Sequence, residues 1–224
     1  TVGYDHQFWK STSPAYVETN TKDEIQSSIA ATDQRHALIS YYARLNYTFD
    51  SRYMLTATVR GDGTSRFHKD NRWGTFPSVA LAWRINEESF LKDNRTISNL
   101  KLRASYGVTG QQDGIGNYNY MPVYTLSQNG AQVQFGDQWY YSYRPEAYVE
   151  DLKWETTTSW NFGLDFGFLK DRISGSVDFY TRQTKDLLAT VPSPAGSNFN
   201  KNILTNVGNV DSHGIEFSLN ATPI

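Results

Sequence analysis

The sequence has 224 residues, and its 21 basic and 23 acidic side chains give a net charge of −2, which provides no broad attraction to nucleic acid or anionic lipid. It contains no cysteine, which excludes disulfides, thiol chemistry and cysteine-bound zinc. No run of about 18 apolar residues occurs, which excludes a membrane-spanning α-helix. A closed β-barrel stays compatible with the six Trp, fifteen Tyr and twelve Phe, because barrel strands are apolar on one face only and carry aromatic residues at both membrane interfaces.

The N-terminal segment 1–36 is polar and shows no clear period. We therefore expect an irregular lead-in or an extracellular loop there, with one short helix near 23–31. From residue 37 onward the sequence alternates with a period of two. The first run, 39–49, has Tyr41 and its alternate neighbours on one face and Arg44 with its alternate neighbours on the other. This run is close to the roughly 9–11 residues of a tilted transmembrane strand.

Further runs repeat this alternation along the rest of the chain. They cover 53–60, 78–85, 100–109, 159–168, 173–182 and 215–221. Asp50-Ser51 is predicted to form a tight turn between the first two runs, and the only helical signal is a possible turn at 87–91. The sequence thus predicts an all-β chain of about seven antiparallel strands in an up-and-down meander.

The connections between these runs differ in length. Those at 61–75, 110–152 and 183–208 are long, whereas 50–52, 86–99 and 169–172 are shorter. In a meander every long connection emerges on one side of the sheet. Long extracellular loops opposite short periplasmic turns are typical of an outer-membrane barrel. A soluble β-sandwich that binds carbohydrate alternates in the same way and stays open as an alternative.

The two faces of the predicted strands differ in chemistry. Charged residues occur mid-strand on one face: Arg44, Arg60, Arg84, Lys101, Arg103, Asp165, Asp178, Arg182 and Glu216. In a barrel they would line a wet lumen, while Trp83, Phe162, Phe166 and Phe179 would face lipid. In a sandwich the same charges would face solvent, and Phe162 and Phe166 would be buried between two sheets.

Several sequence blocks occur in one order along residues 37–224. They are RGDGTSRF (60–67), NRWGTFPS (71–78), WRI (83–85), LKLRASYGVTGQQ (100–112), LKWETTTSWNFGLDFGFL (152–169), GSVDFYTRQTKDLL (175–188), VPSPAGSNFN (191–200) and NVGNVDSHGIEFSLNATPI (206–224). Together they resemble the barrel blocks of the SusC/RagA family, the TonB-dependent outer-membrane nutrient transporters of Bacteroidetes. The sequence departs from the family pattern at Gln111, where Asn is more usual, and at Ser212-His213.

The resemblance implies a location in the cell outer membrane and a barrel of 22 strands, the class with a plugged lumen. This chain would supply about a third of that barrel, without the plug. The resemblance further implies import of glycans or peptides, energy supplied by TonB acting on the plug, outer-membrane lipid around the barrel, and a SusD-like surface lipoprotein as partner.

The connection 110–152 contains the candidate substrate-binding residues. Aromatic rings stack on the apolar faces of sugars, and amide, carboxylate and guanidinium groups bond hydroxyl groups. The candidates are Tyr118, Tyr120, Trp139, Tyr141, Tyr143, Asp113, Asn117 and Arg144. Two other roles stay open for these aromatic residues, namely packing at the membrane interface and docking of the lipoprotein.

The sequence gives no sign of an enzyme, a cofactor or a metal centre. The four histidines are dispersed without ligand spacing. A secreted glycoside hydrolase would require two carboxyl groups facing each other across a cleft, for which Asp62 and Glu146 are the residues to test. No nucleic-acid partner is expected.

Overall fold

The computed structural model describes residues 1–126, 131–194, 196 and 200–222. Parts of the predicted long connections, and the end of the last sequence block, lie outside the described residues. Within the described part of the chain, no helix is long and apolar enough to cross a membrane.

Strands form nearly all of the regular structure, and the described residues also include one turn of 3-10 helix, Ile85–Glu87. In chain order the strands are β1 (Val2–Ser13), β2 (Tyr16–Thr19), β3 (Ile25–Ile29), β4 (Thr32–Phe49), β5 (Tyr53–Thr64), β6 (Trp73–Arg84), β7 (Ile97–Gln111), β8 (Tyr124–Leu126), β9 (Gln132–Phe135), β10 (Gln138–Tyr141), β11 (Tyr143–Pro145), β12 (Glu155–Phe168), β13 (Ile173–Lys185), β14 (Leu188–Pro192), β15 (Asn202–Asn206) and β16 (Asn209–Ala221).

One sheet of eight strands dominates the fold, in the order β1-β4-β5-β6-β7-β12-β13-β16. Every neighbouring pair is antiparallel, and each strand pairs with the next long strand along the chain. The remaining strands form four two-stranded hairpins within the long connections. The prediction of an all-β antiparallel meander is confirmed, with eight long strands where the sequence indicated about seven.

The expectation of an irregular segment over 1–36 is wrong. β1 pairs with β4 from Val2↔Ala43 to Ser13↔Thr32, and β4 itself begins at Thr32. The expected helix near 23–31 is also wrong, because that segment contains β3. The second half of β1 pairs with the start of β4 through polar sequence, and β3 belongs to a separate two-stranded sheet. Neither segment therefore shows a clear alternation in the sequence.

The short turns occur where the sequence predicts them, and they lie together at one end of the sheet. The Asp50-Ser51 turn has positive φ at both residues, and the Arg52 N–H donates to the Phe49 carbonyl oxygen at 3.0 Å. This turn and those at 85–96 and 169–172 lie at one end of the sheet, while the long connections lie at the other.

The apolar residues align in rows on one face of the sheet. The row from β4 to β16 that passes through the middle of the face is Tyr47, Leu55, Leu81, Ala104, Phe162, Phe179 and Ile215. The adjacent row is Phe49, Tyr53, Trp83, Leu102, Leu164, Val177 and Phe217. Leu81, Phe162 and Phe217 are each about half-exposed or more. We call this surface the apolar face.

The opposite face is polar and has its own ion network. The Arg103 guanidinium binds Asp165 at 2.8 Å and Asp178 at 2.8 Å, and Lys101 lies 3.9 Å from Asp165. Arg103 and Asp178 are both paired in register with Gly163, so the guanidinium lies across β12 above that glycine. This charged face has the chemistry expected of a lumen wall.

Replacing Gly163 with Ala should break this network. The added Cβ would lie 2.4 Å from the Asp178 carboxylate and 2.7 Å from the Arg103 guanidinium, so one group must move. We expect a loss of about 1–2 kcal/mol in stability, because a charge-assisted hydrogen bond is lost. Thermal unfolding of the detergent-solubilised receptor measures this loss.

The matched control is Gly107→Ala, also in the main sheet. Its Cβ would meet only the Ser78 Cβ at 3.4 Å, an ordinary contact. Gly107→Ala should leave the melting temperature nearly unchanged, and equal losses for the two variants would show that Gly163 has no special role in the network.

A small buried core lies at the long-connection end of the sheet. It consists of Phe67, Phe76, Ile115, Leu152 and Trp154, which we call the loop core. The Trp154 ring centroid lies 5.5 Å from that of Phe67 and 5.4 Å from that of Phe76. The Trp154 Nε1–H donates to the Arg72 carbonyl oxygen at 3.1 Å. Because these residues come from separate connections and strand ends, the loop core holds the connections to the sheet.

Candidate functional site

The long connection between β7 and β12 carries two small hairpins. In the first, which we call the aromatic hairpin, β9 pairs with β10, and Trp139↔Gln134 and Tyr141↔Gln132 are register partners. Alternation places these four side chains on one face of the hairpin. Trp139 is 59% exposed and Tyr141 is 44% exposed. This face offers aromatic surface flanked by neutral carboxamides.

The other face of the aromatic hairpin is arranged differently. It carries Phe135 and Tyr140, whose ring centroids lie 5.9 Å apart in an edge-to-face arrangement. The Tyr140 hydroxyl donates to the Gln138 Oε1 at 3.1 Å. These two rings pack on each other and are still 68% and 50% exposed, so both faces of the hairpin present aromatic surface.

The second hairpin is formed by β8 and β11, between which the aromatic hairpin is inserted in the chain. Tyr143, 69% exposed, lies opposite Leu126 on its outer face. Arg144 lies on the other face, with its Nε donating to the Thr125 hydroxyl at 3.4 Å and its Nη2 3.6 Å from Glu146. Arg144 is thus already engaged within the connection, while Tyr143 is available for contact.

The other predicted candidates lie at the base of the connection. The Tyr118 hydroxyl accepts the Arg35 backbone N–H at 3.2 Å, and the Asn117 Nδ2 donates to the Gln34 Oε1 at 3.3 Å. Both contacts fasten the connection to the start of β4. They give Asn117 and Tyr118 a structural role.

Tyr120 and Asp113 contact the connection between β5 and β6. Tyr120 packs edge-on against His68, with ring centroids 6.2 Å apart, and Asp113 lies 4.0 Å from Arg66. The eight predicted residues therefore fall into separate groups. Trp139, Tyr141 and Tyr143 are on the exposed hairpins, and the others mainly tie the connections together.

Glu146 joins the two connections, as does the pair of hydrogen bonds between the Lys153 backbone and the Asn206 side chain. From the sequence, Glu146 is a carboxylate to test for hydrolysis. Its Oε1 accepts the Thr125 hydroxyl at 2.5 Å, and its Oε2 accepts the Asn200 side-chain amide from the connection between β13 and β16. These hydrogen bonds, Thr125 first, hold the pKa of the Glu146 carboxyl below its usual value. A signal for this role is not visible in the sequence, because Asn200 is distant along the chain.

Because Glu146 joins two connections, the conformational ordering of these connections should depend on pH. The pKa of Glu146 is lower in the folded state than in the unfolded one. The stabilisation that the ionised carboxylate provides is therefore complete above about pH 4.3, the usual pKa of Glu, and is lost as the pH falls through the pKa of the folded state. A spin label at Lys201→Cys, unique in this cysteine-free chain, should gain mobility in that acid range. Glu146→Gln should show the mobile spectrum already at pH 7.

The charge-matched control is Asp137→Asn, in the turn of the aromatic hairpin. It should leave the label's spectrum and its pH dependence as in the unmodified protein. If Glu146→Gln and the unmodified protein give the same spectrum at pH 7, the proposed tie is absent.

Comparison with known proteins decides the family. The family model described as "TonB dependent receptor-like, beta-barrel" matches residues 1–222. The chain belongs to the TonB-dependent receptor family. TonB-dependent receptor SusC of Bacteroides thetaiotaomicron is 54% identical over 190 residues, covering 85% of this chain and 19% of SusC. TonB-dependent receptor P39 of Formosa agariphila is 41% identical over 217 residues, covering 93% of this chain and 20% of that protein.

Solved structures agree with this assignment. The RagAB peptide importer in its "closed-closed" state matches with a TM-score of 0.76 and 33% identity, over 90% of this chain and 21% of that one. The RagAB peptide transporter matches with a TM-score of 0.73 and 34% identity, over 87% of this chain and 20% of that one. The chain spans about a fifth of the length of the relatives it matches. It therefore corresponds to part of a receptor barrel, as the sequence blocks indicated.

The alternatives from the sequence lose support. A sandwich requires two packed sheets with Phe162 buried, whereas the described residues form one large sheet in which Phe162 is 48% exposed. The hydrolase carboxylates are both engaged, since Asp62 accepts the Arg60 Nε–H at 2.8 Å and Glu146 accepts the Thr125 hydroxyl. The relatives are named as receptors, not enzymes. The lack of enzymatic activity stays a prediction for this chain.

Proposed function

We propose that this chain forms part of the wall and extracellular loops of an outer-membrane TonB-dependent importer. The observation that carries the proposal is the two-faced sheet of the family barrel, with apolar rows on one face and the Arg103 network on the other. The apolar face contacts outer-membrane lipid, and the polar face lines the lumen of a larger barrel. The 22-strand size of that barrel stays a prediction from the resemblance.

The cargo is a glycan or a peptide, and energy for its import comes from TonB acting on another part of the receptor. Support for a peptide comes from the RagAB neighbours, which are described as peptide importers. Support for a glycan comes from the aromatic hairpin, where Trp139 and Tyr141 stand beside uncharged Gln side chains. Neutral hydrogen-bonding groups around exposed rings suit a neutral, hydroxyl-rich ligand.

Trp139 and Tyr141 are the proposed cargo-contacting residues, with Tyr143 on the adjacent hairpin. Tyr143 and its partner Leu126 form an apolar outer surface, which favours contact with the SusD-like lipoprotein over contact with a sugar. Asp113, Asn117, Tyr118, Tyr120 and Arg144 position the connection, and their roles in binding cargo stay secondary in this proposal.

The test uses the full-length receptor carrying Trp139→Ala with Tyr141→Ala. Uptake of labelled oligosaccharides and labelled peptides is compared in cells that lack the native receptor. We expect at least a roughly tenfold loss of affinity for the cargo, because each of the two truncated aromatic contacts removes about 1 kcal/mol of binding or more, and about 1.4 kcal/mol corresponds to tenfold.

The control variant is Tyr140→Ala, on the opposite face of the same hairpin. It should retain cargo binding, and co-purification of the lipoprotein shows whether docking is affected. Unchanged binding and uptake in the double variant, with the receptor present at normal levels, would overturn the role of this face.

A further inference from the structure

An apolar hollow lies on the apolar face, near the short-turn end of the sheet. It spans β4 to β7, has a volume of about 350 Å³, and its lining is almost entirely apolar. The side chains of the apolar face that line it are Tyr47, Tyr53, Leu55, Leu81, Trp83, Leu102 and Ala104. This volume lies within the range of about 300–1,000 Å³ that is usual for small-molecule sites.

Ala104 helps to make this surface concave. In the middle row it stands between Leu81 on β6 and Phe162 on β12, so a single methyl group is flanked by two large side chains. The large neighbours project from the sheet farther than Ala104 does. A flexible apolar chain can therefore fill the space above Ala104 and make van der Waals contacts with the larger side chains beside it.

The wall of the hollow is fixed by a carboxylate at the rim. The Glu88 Oε1 accepts the Tyr53 hydroxyl at 2.6 Å and the Trp83 Nε1–H at 2.9 Å. The two rings stack with centroids 6.3 Å apart. These hydrogen bonds and the ring stacking fix the positions of Tyr53 and Trp83 at the edge of the hollow.

The charges at this rim form a compact group. The Arg52 Nη1 donates to the Glu88 Oε2 at 2.9 Å, its other nitrogen pairs with Asp50, and its guanidinium carbon lies 5.9 Å from the Tyr53 ring centroid. The Asp50 side chain is 54% exposed. One guanidinium between two carboxylates matches a headgroup that carries a phosphate and an amine, and it disfavours a headgroup with net negative charge.

We propose that this hollow binds one phospholipid with a zwitterionic, amine-bearing headgroup. An acyl chain lies along Ala104 and Leu81, the phosphate contacts Arg52, and the amine contacts Asp50. The proposal rests on the proposed function, which places the sheet in the outer membrane with its short turns toward the periplasm. The lipid would therefore come from the periplasmic leaflet and seal this part of the barrel wall.

Native mass spectrometry of the full-length receptor tests the proposal. The delipidated protein is reconstituted with equal amounts of phosphatidylethanolamine and phosphatidylglycerol, and the lipids retained after activation are counted. We expect one retained phosphatidylethanolamine, favoured about tenfold over phosphatidylglycerol. Ala104→Leu fills the hollow and should abolish retention.

The control Ala57→Leu also adds bulk to the apolar face, but outside this hollow, and should retain the lipid. Asp50→Asn leaves the hollow intact and should remove the preference for the amine-bearing lipid. Equal retention by Ala104→Leu and Ala57→Leu, or equal retention of both lipids by the unmodified protein, would show non-selective annular lipid only and overturn the proposal.

This result is separable from failure of the proposed function. A receptor that imports cargo but retains no lipid overturns the lipid site alone. A receptor that does not reside in the outer membrane overturns both.

Discussion

Leu81→Arg is expected to prevent stable assembly of the receptor in the membrane. Leu81 lies in the middle row of the apolar face and is 54% exposed, so in the barrel its side chain contacts lipid. An Arg on the lipid face destabilises a barrel by up to about 2–4 kcal/mol, and the cost is largest at the bilayer midplane. The measurement is the free energy of unfolding in lipid vesicles, together with the amount of heat-modifiable folded receptor in outer-membrane fractions.

The adjacent residue provides the control. Ala80 points to the polar face, where it lines a hollow of about 290 Å³ with Ser105 and Asn161. Ala80→Arg should therefore place its guanidinium in polar surroundings and assemble nearly normally. If Ala80→Arg is damaged as severely as Leu81→Arg, or if Leu81→Arg is harmless, the assignment of the two faces is wrong.

Trp154→Ala is expected to detach the long connections from the sheet. Trp154 is only 8% exposed and contacts both Phe67 and Phe76 in the loop core. Truncating a buried Trp to Ala destabilises a protein by about 3–5 kcal/mol. Hydrogen exchange should rise in the connections 65–72 and 112–154, while the amides of the main sheet stay protected.

Two controls separate packing from hydrogen bonding at this site. Trp154→Phe keeps an aromatic ring but loses the hydrogen bond to the Arg72 carbonyl oxygen. We expect the loss of this bond to lower the free energy of unfolding by only about 1 kcal/mol, in addition to the effect of the smaller ring on packing. Trp160→Ala removes a Trp from the apolar face and should leave exchange in the connections unchanged. Exchange that rises equally across sheet and connections in Trp154→Ala would contradict the local role of the loop core.

The sequence predicted the strands best where lipid enforces alternation. Within 39–49 each second residue faces the apolar environment, so the period of two is nearly unbroken. β4 continues back to Thr32 through Arg35 and Gln34, where strand pairing extends beyond the apolar rows and both faces are polar. Sequence periodicity gives little information there, which explains why the sequence predicts a loop where the structure has the paired ends of β1 and β4.

The candidate site was predictable in composition but not in arrangement. The sequence located the aromatic cluster within 110–152, and the structure separates Trp139 and Tyr141 on an exposed hairpin from Tyr118 at its base. The tie through Glu146 depends on Asn200 in another connection. This contact cannot be seen in the sequence, because the two connections come close only when the strands between them have formed the sheet.

The central claim is that one face of this sheet contacts lipid and the other lines a wet lumen. A cysteine scan of β12 from Ser159 to Phe166 tests it directly. These 224 residues contain no cysteine, and any cysteine elsewhere in the receptor is replaced first. Each cysteine is labelled with an environment-sensitive fluorophore in the full-length receptor in bilayers containing brominated lipid. Gly163 is left unchanged, because any side chain there would displace the Arg103 network. We expect alternating quenching, strong at positions 160, 162, 164 and 166 and weak at positions 159, 161 and 165. Quenching that shows no alternation, or that is strong at the odd positions, would contradict it.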